Sequence, residues 1–69
     1  MKLTRHHRQP KSRGGAGRGK NISLVPEHKH RAFHLLFHNH EPPTIAQILN
    51  DIWIDPEYIL IAVRRNHES

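Results

Sequence analysis

The sequence predicts a small α+β domain: a β-hairpin with a wide glycine-rich loop, then a helix, then a second, amphipathic helix and a short final strand. Three observations carry this. Two short strand-forming runs flank a segment holding all four glycines of the chain, a histidine pair four residues apart follows a proline, and isoleucine and leucine recur further on at helical spacing.

The first strand is expected over about Leu3 to Arg8 and the second over Asn21 to Val25, the latter rich in β-branched residues, with Ile22 and Leu24 on one face. Between them QPKSRGGAGRGK has no large apolar side chain and reads as a loop. A loop of that length inside a compact domain points to a functional role. Pro26 suits the first position of a helix, and Glu27 sits favourably at the positive end of its dipole. On that helix His30 and His34 are adjacent at i and i+4, flanked by Phe33 and Phe37, with Leu36 continuing the apolar stripe, so the imidazoles border the buried face. His28 and Arg31 point to the surface.

After the turn HNHEPP a second helix is expected from about Pro43 to Ile52 or Trp53. Ile45, Ile48, Leu49 and Ile52 form one stripe, with Thr44, Gln47, Asn50 and Asp51 opposite, a spacing that serves packing far more often than partner binding. Asp55 and Pro56 punctuate the chain, and Tyr58 to Val63 is β-branched enough for a short strand. The expected organisation is one domain, residues 1–69, with a finger over 3–37 braced by the helix and strand of 43–65.

Composition narrows the function. At 69 residues a hydrophobic core rarely holds a fold without a staple, and the absence of cysteine excludes disulfides and cysteine-ligated zinc. Histidine is eight of 69 residues, scattered rather than run together, which leaves histidine-bound metal as the available staple. No apolar stretch has the form of a signal peptide or the length of a membrane span, so a cytoplasmic protein is expected, with no membrane partner. Residues 1 to 20 carry seven of the eleven lysines and arginines and no carboxylate. Such a segment is the electrostatic signature of a phosphate-backbone partner.

The chemistry follows from spacing. A helical i, i+4 pair presents two imidazole nitrogens to one ion, and a third ligand from a neighbouring strand leaves positions open for water and substrate. Three neutral nitrogens suit zinc, nickel, cobalt or manganese better than calcium. Adjacent strand residues face opposite ways, so of His6 and His7 one binds the ion and the other stays free. A free imidazole takes a proton from water near neutral pH when a hydrogen bond fixes its ring. Asn21, across the hairpin, offers a side-chain or backbone carbonyl for that purpose.

HHRQPKSRGG, NISLVP and HKHRAFH, taken in order, resemble the HNH endonucleases, also called ββα-metal or His-Me finger nucleases, and are most similar to the nuclease domain of DNA-degrading colicins. The resemblance spans about Arg5 to Phe37 and includes Pro10, Ser12, Gly14 and Gly15. It implies that His6 binds the metal with His30 and His34, that His7 is the general base, and that Asn21 orients it. It implies metal-assisted phosphodiester hydrolysis leaving 3′-hydroxyl and 5′-phosphate ends. The cofactor expected is one divalent ion, zinc in preference to nickel, manganese or magnesium. Arg5, Arg8, Lys11 and Arg13 flank the site and are the expected phosphate contacts, on DNA rather than RNA. No base-reading helix stands out, so sequence preference should be weak. The cysteine knuckles that brace many HNH domains are absent, which assigns bracing to the second helix and final strand.

A finger this small needs a second copy or a partner to hold a duplex, and an unrestrained cytoplasmic nuclease needs an inhibitor. Two rival readings stand beside the enzyme. A metal-stapled nucleic-acid-binding module would need His6, His30 and His34 but would have no use for His7 or Asn21. A protein-interaction module would use the Ile45 to Trp53 stripe.

Overall fold

The computed structural model describes residues 1–65 and contains two antiparallel strands and two α-helices, an α+β architecture in the expected ββα order. The chain divides into two compact units, Met1–Asn39 and the residues from His40 onward. The expected finger, 3–37, falls in the first and the expected helix and strand, 43–65, in the second.

In the first unit β1 (Leu3–His7) pairs with β2 (Ile22–Pro26) in a register that sets Thr4 opposite Val25, Arg5 opposite Leu24 and His6 opposite Ser23. Strand alternation sends Thr4, His6, Ser23 and Val25 to a half-buried face and leaves Leu3, Arg5 and Leu24 exposed. Leu24 is thus 64% exposed, while Ile22, on the same face of the strand as expected, is half-buried at its end. The ladder decides this, because the inward parity belongs to Ser23 and Val25.

Pro26 ends β2 instead of opening the helix: it keeps an extended ψ of 139° and pairs with Leu3, so α1 runs from Glu27 to Phe37. The first free helix N–H, that of Glu27, donates to the Lys2 carbonyl at 3.0 Å, so the ladder itself caps the helix. The Glu27 carboxylate pairs with Lys2 at 3.2 Å and with Arg31, one turn on, at 2.8 Å. At the other end His38 turns the chain with a φ of 51°, and its N–H donates to the His34 carbonyl.

The loop between the strands is ordered by its own polar groups. Lys11–Arg13 forms a 3₁₀ turn closed by Gly14, whose φ of 84° suits glycine. Gly15 donates to the Pro10 carbonyl at 3.0 Å.

In the second unit α2 (Pro42–Ile48) starts on two prolines and continues into a π-helical turn, Leu49–Trp53, closed by the Ile54 N–H on the Leu49 carbonyl at 2.9 Å. The wider turn slows the rotation of the helix, so the expected stripe keeps Ile45, Ile48 and Leu49 half-buried but loses Ile52, which is 71% exposed. Tyr58–Val63 is not the expected strand. No second backbone edge pairs with it among the described residues; instead the Asn50 side chain donates to the Leu60 carbonyl at 2.9 Å and accepts from its N–H at 2.8 Å. Asn50, expected on the polar face, is therefore half-buried and bonded.

No apolar side chain among the described residues is fully buried. In the first unit the packed centre is a cluster of histidine and phenylalanine rings, and no described helix is long and apolar enough to cross a membrane.

Candidate metal centre

Three of the predicted ligands converge. His6 comes from the inward face of β1, and His30 and His34 come from adjacent turns of α1. The His6 ring meets His30, His34 and Phe33 edge to face at centroid separations of 5.1, 5.7 and 4.9 Å. One ring nitrogen from each of the three histidines lies within 4.8 Å of the others, close enough to hold a single ion.

The donor set fits a divalent metal on two further observations. The Nε2 atoms of His30 and His34 are 3.1 Å apart. Two nitrogens bound tetrahedrally to one zinc at 2.0–2.1 Å lie about 3.3 Å apart, so this pair stands near the spacing of shared ligands. His6 Nδ1 is buried with no hydrogen-bond partner, the kind of polar orphan that a bound cation relieves. Burial holds the His6 imidazole below its usual pKa, and the neighbouring His30 and His34, then His7 and Arg8, push the same way. Each effect favours the neutral, ligating form.

His7 is outside this group of three but lines the same cleft as His30 and His34, together with Arg5, Lys11 and Ser12. The cleft measures about 250 Å³. That is below the usual range of pockets for drug-sized ligands, and suits a small polar group with water.

Asn21 is placed differently from expectation. Its side chain accepts from the Gln9 N–H at 2.6 Å and donates to the carbonyls of Gln9 at 3.1 Å and Ala16 at 2.7 Å, while its own carbonyl accepts from the Arg8 N–H at 2.7 Å. These bonds clamp the loop and the chain just beyond His7; none is to the His7 ring.

The expected phosphate contacts also have structural partners. The Arg5 guanidinium donates to the Gly17 carbonyl, Arg8 Nη1 to Lys20 at 3.0 Å and Arg13 Nε to Asn39 at 3.2 Å. Each guanidinium carries further donors. Arg5 and Lys11 line the cleft itself.

Phe33 is expected as apolar flank, and its ring packs directly on the His6 ring. One contributor escaped the reading of the sequence. Thr4 was not singled out, yet its hydroxyl is 2.7 Å from His30 Nδ1. The available signal was strand period: Thr4 is two residues before His6 and so shares its face. Comparison with known proteins finds no matching family model, curated protein or solved structure.

Proposed function

We propose that this chain is a metal-dependent endonuclease of the HNH type, hydrolysing phosphodiester bonds in nucleic acid, DNA in preference to RNA, with weak sequence preference. The observation that carries the reading is three clustered imidazoles beside a fourth, His7, which lines an adjoining cleft with cationic side chains. Held by His6, His30 and His34, a divalent ion, zinc foremost, supplies electrostatic stabilisation to a phosphate and to the departing oxygen.

The remaining work belongs to the chain. Arg5 and Lys11 attract and seat the phosphate backbone. A ring nitrogen of His7 takes the proton of a water as its oxygen forms the new bond to phosphorus and the bond to the 3′ oxygen breaks. The departing oxygen takes a proton from solvent water and ends as a 3′-hydroxyl, leaving a 5′-phosphate on the other fragment. Asn21 acts on His7 indirectly, by fixing the backbone of Arg8 and Gln9 next to it.

Plasmid nicking across zinc, nickel, manganese and magnesium tests this. His7→Ala should abolish nicking while the circular dichroism spectrum and zinc binding survive. A wild-type protein that nicks with none of these ions, or a His7→Ala variant as fast as wild type, refutes the enzyme. One observation favours the second reading, a metal-stapled nucleic-acid-binding module: Asn21 spends its side chain on the loop and not on His7. That module would bind DNA in a salt-dependent manner and cut nothing.

A further inference from the structure

Two contacts of the Thr4 hydroxyl bear on which nitrogen of His30 carries the proton. Thr4 has one hydroxyl hydrogen, and Oγ1 donates it to the Val25 carbonyl at 3.1 Å, an oxygen with no proton of its own to offer. The same Oγ1 stands 2.7 Å from His30 Nδ1. With the hydroxyl proton spent on Val25, this second contact is a hydrogen bond only if Nδ1–H of His30 donates to Oγ1. His30 is then the Nδ1–H tautomer, and its Nε2 is bare.

That bare atom is the one that faces the site, 3.1 Å from His34 Nε2. Without metal, the contact needs one proton between two nitrogens, and with His30 in the Nδ1–H form it is His34 that would donate. The opposite arrangement, with the Thr4 proton turned to His30 Nδ1, would leave the hydrogen on His30 Nε2 and block it as a ligand atom. Thr4 is held in place by the ladder, directly opposite Val25, and one strand thereby carries both a ligand, His6, and the group that prepares another.

We infer that Thr4 is a positioning residue of the metal centre: by relaying a hydrogen bond from His30 Nδ1–H to the Val25 carbonyl it fixes the tautomer and ring angle that present His30 Nε2 to an ion. This rests on the metal reading of the histidine cluster. It does not depend on nuclease activity. Carbonyl or carboxylate partners commonly orient metal-bound histidines, and removing such a partner typically costs about 10–100-fold in metal affinity.

The test has two readouts. In metal-free protein at about pH 8, well above the ordinary histidine range, long-range ¹H–¹⁵N spectra should show His30 as the Nδ1–H tautomer. Thr4→Val, which keeps the shape and removes the hydroxyl, should shift His30 toward Nε2–H and weaken zinc binding by about 10–100-fold in a competition titration against a chromophoric chelator. Thr4→Ser should restore both. A wild-type spectrum with His30 as Nε2–H overturns the inference without any variant, so a poorly folded Thr4→Val does not rescue it. Undiminished zinc affinity in a folded Thr4→Val overturns it equally. A wild-type protein that binds no zinc but shows the Nδ1–H tautomer refutes the metal reading together with the positioning role, leaving the hydrogen-bond relay alone.

Discussion

Adding one methyl group at Gly15 should disable the loop, whereas the same change two residues later should not. A Cβ on Gly15 would stand 1.7 Å from the Gln9 carbonyl oxygen and 2.9 Å from that of Pro10. Ordinary contact begins at 3.4 Å, so the Gln9 carbonyl must retreat by about 1.7 Å, and it is backbone rather than a side chain that can swing aside. Such a retreat breaks the two bonds between Gln9 and Asn21, at 2.6 and 3.1 Å, and the Gly15 bond to Pro10 at 3.0 Å. At about 1 kcal/mol each, three lost bonds come to about 3 kcal/mol. Gly17 has nothing within 4 Å of a built Cβ. Gly17→Ala should therefore stay within about 0.5 kcal/mol of wild type, or gain slightly by restricting the unfolded chain. Urea unfolding followed by circular dichroism, at fixed zinc, measures both variants. Stabilities of the two alanine variants that agree within about 0.5 kcal/mol would refute the steric argument and the loop clamp built on it.

Zinc should stabilise the first unit by mass action, about 2.7 kcal/mol at a free concentration of a hundred times Kd, and exhaustive chelation should remove that gain. Thermal melts with and without chelator read this, and His34→Ala should abolish the zinc-dependent shift. In metal-free protein, the lowered pKa of His6 makes stability fall as the solution is acidified. The unfolded imidazole takes up a proton near 6.5 while the folded one resists, so the stability is complete above 6.5 and is lost progressively below it, by at most about 1.4 kcal/mol per pH unit for one proton. Urea unfolding from pH 8 to 5 should show this slope, and His6→Phe should flatten it. Asn50→Ala should release the segment around Leu60, seen as faster amide hydrogen exchange at Leu60 with little change in the first unit.

The legibility of the fold varied with how local its causes are. The hairpin, the glycine loop and α1 were visible because strand period, glycine content and the Pro26–Glu27 junction act within a few residues. The register was less visible, since which face of β2 turns inward depends on pairing with β1, and Leu24 went outward as a result. The final segment departs from its expected strand for a related reason. Tyr58–Val63 has strand-forming residues, but a strand also needs a second edge, and the Asn50 side chain takes that place at Leu60. In the candidate site, the helical pair His30 and His34 was legible from spacing, whereas the bonding of Asn21 to Gln9 and Ala16 was not, because loop closure is a three-dimensional matter.

By itself the sequence determined the supply of chemistry: no cysteine, abundant histidine, cations gathered ahead of Glu27, and an i, i+4 imidazole pair. These follow from composition and from the fixed period of a helix. Strand spacing alone left open which of His6 and His7 joins that pair; the resemblance pointed to His6, and the tertiary structure brings His6 there and sets Thr4 against His30. Both depend on how β1 is paired and which of its faces meets α1. A one-residue slip in that register would exchange the two histidines and remove the threonine, because strand side chains alternate with period two.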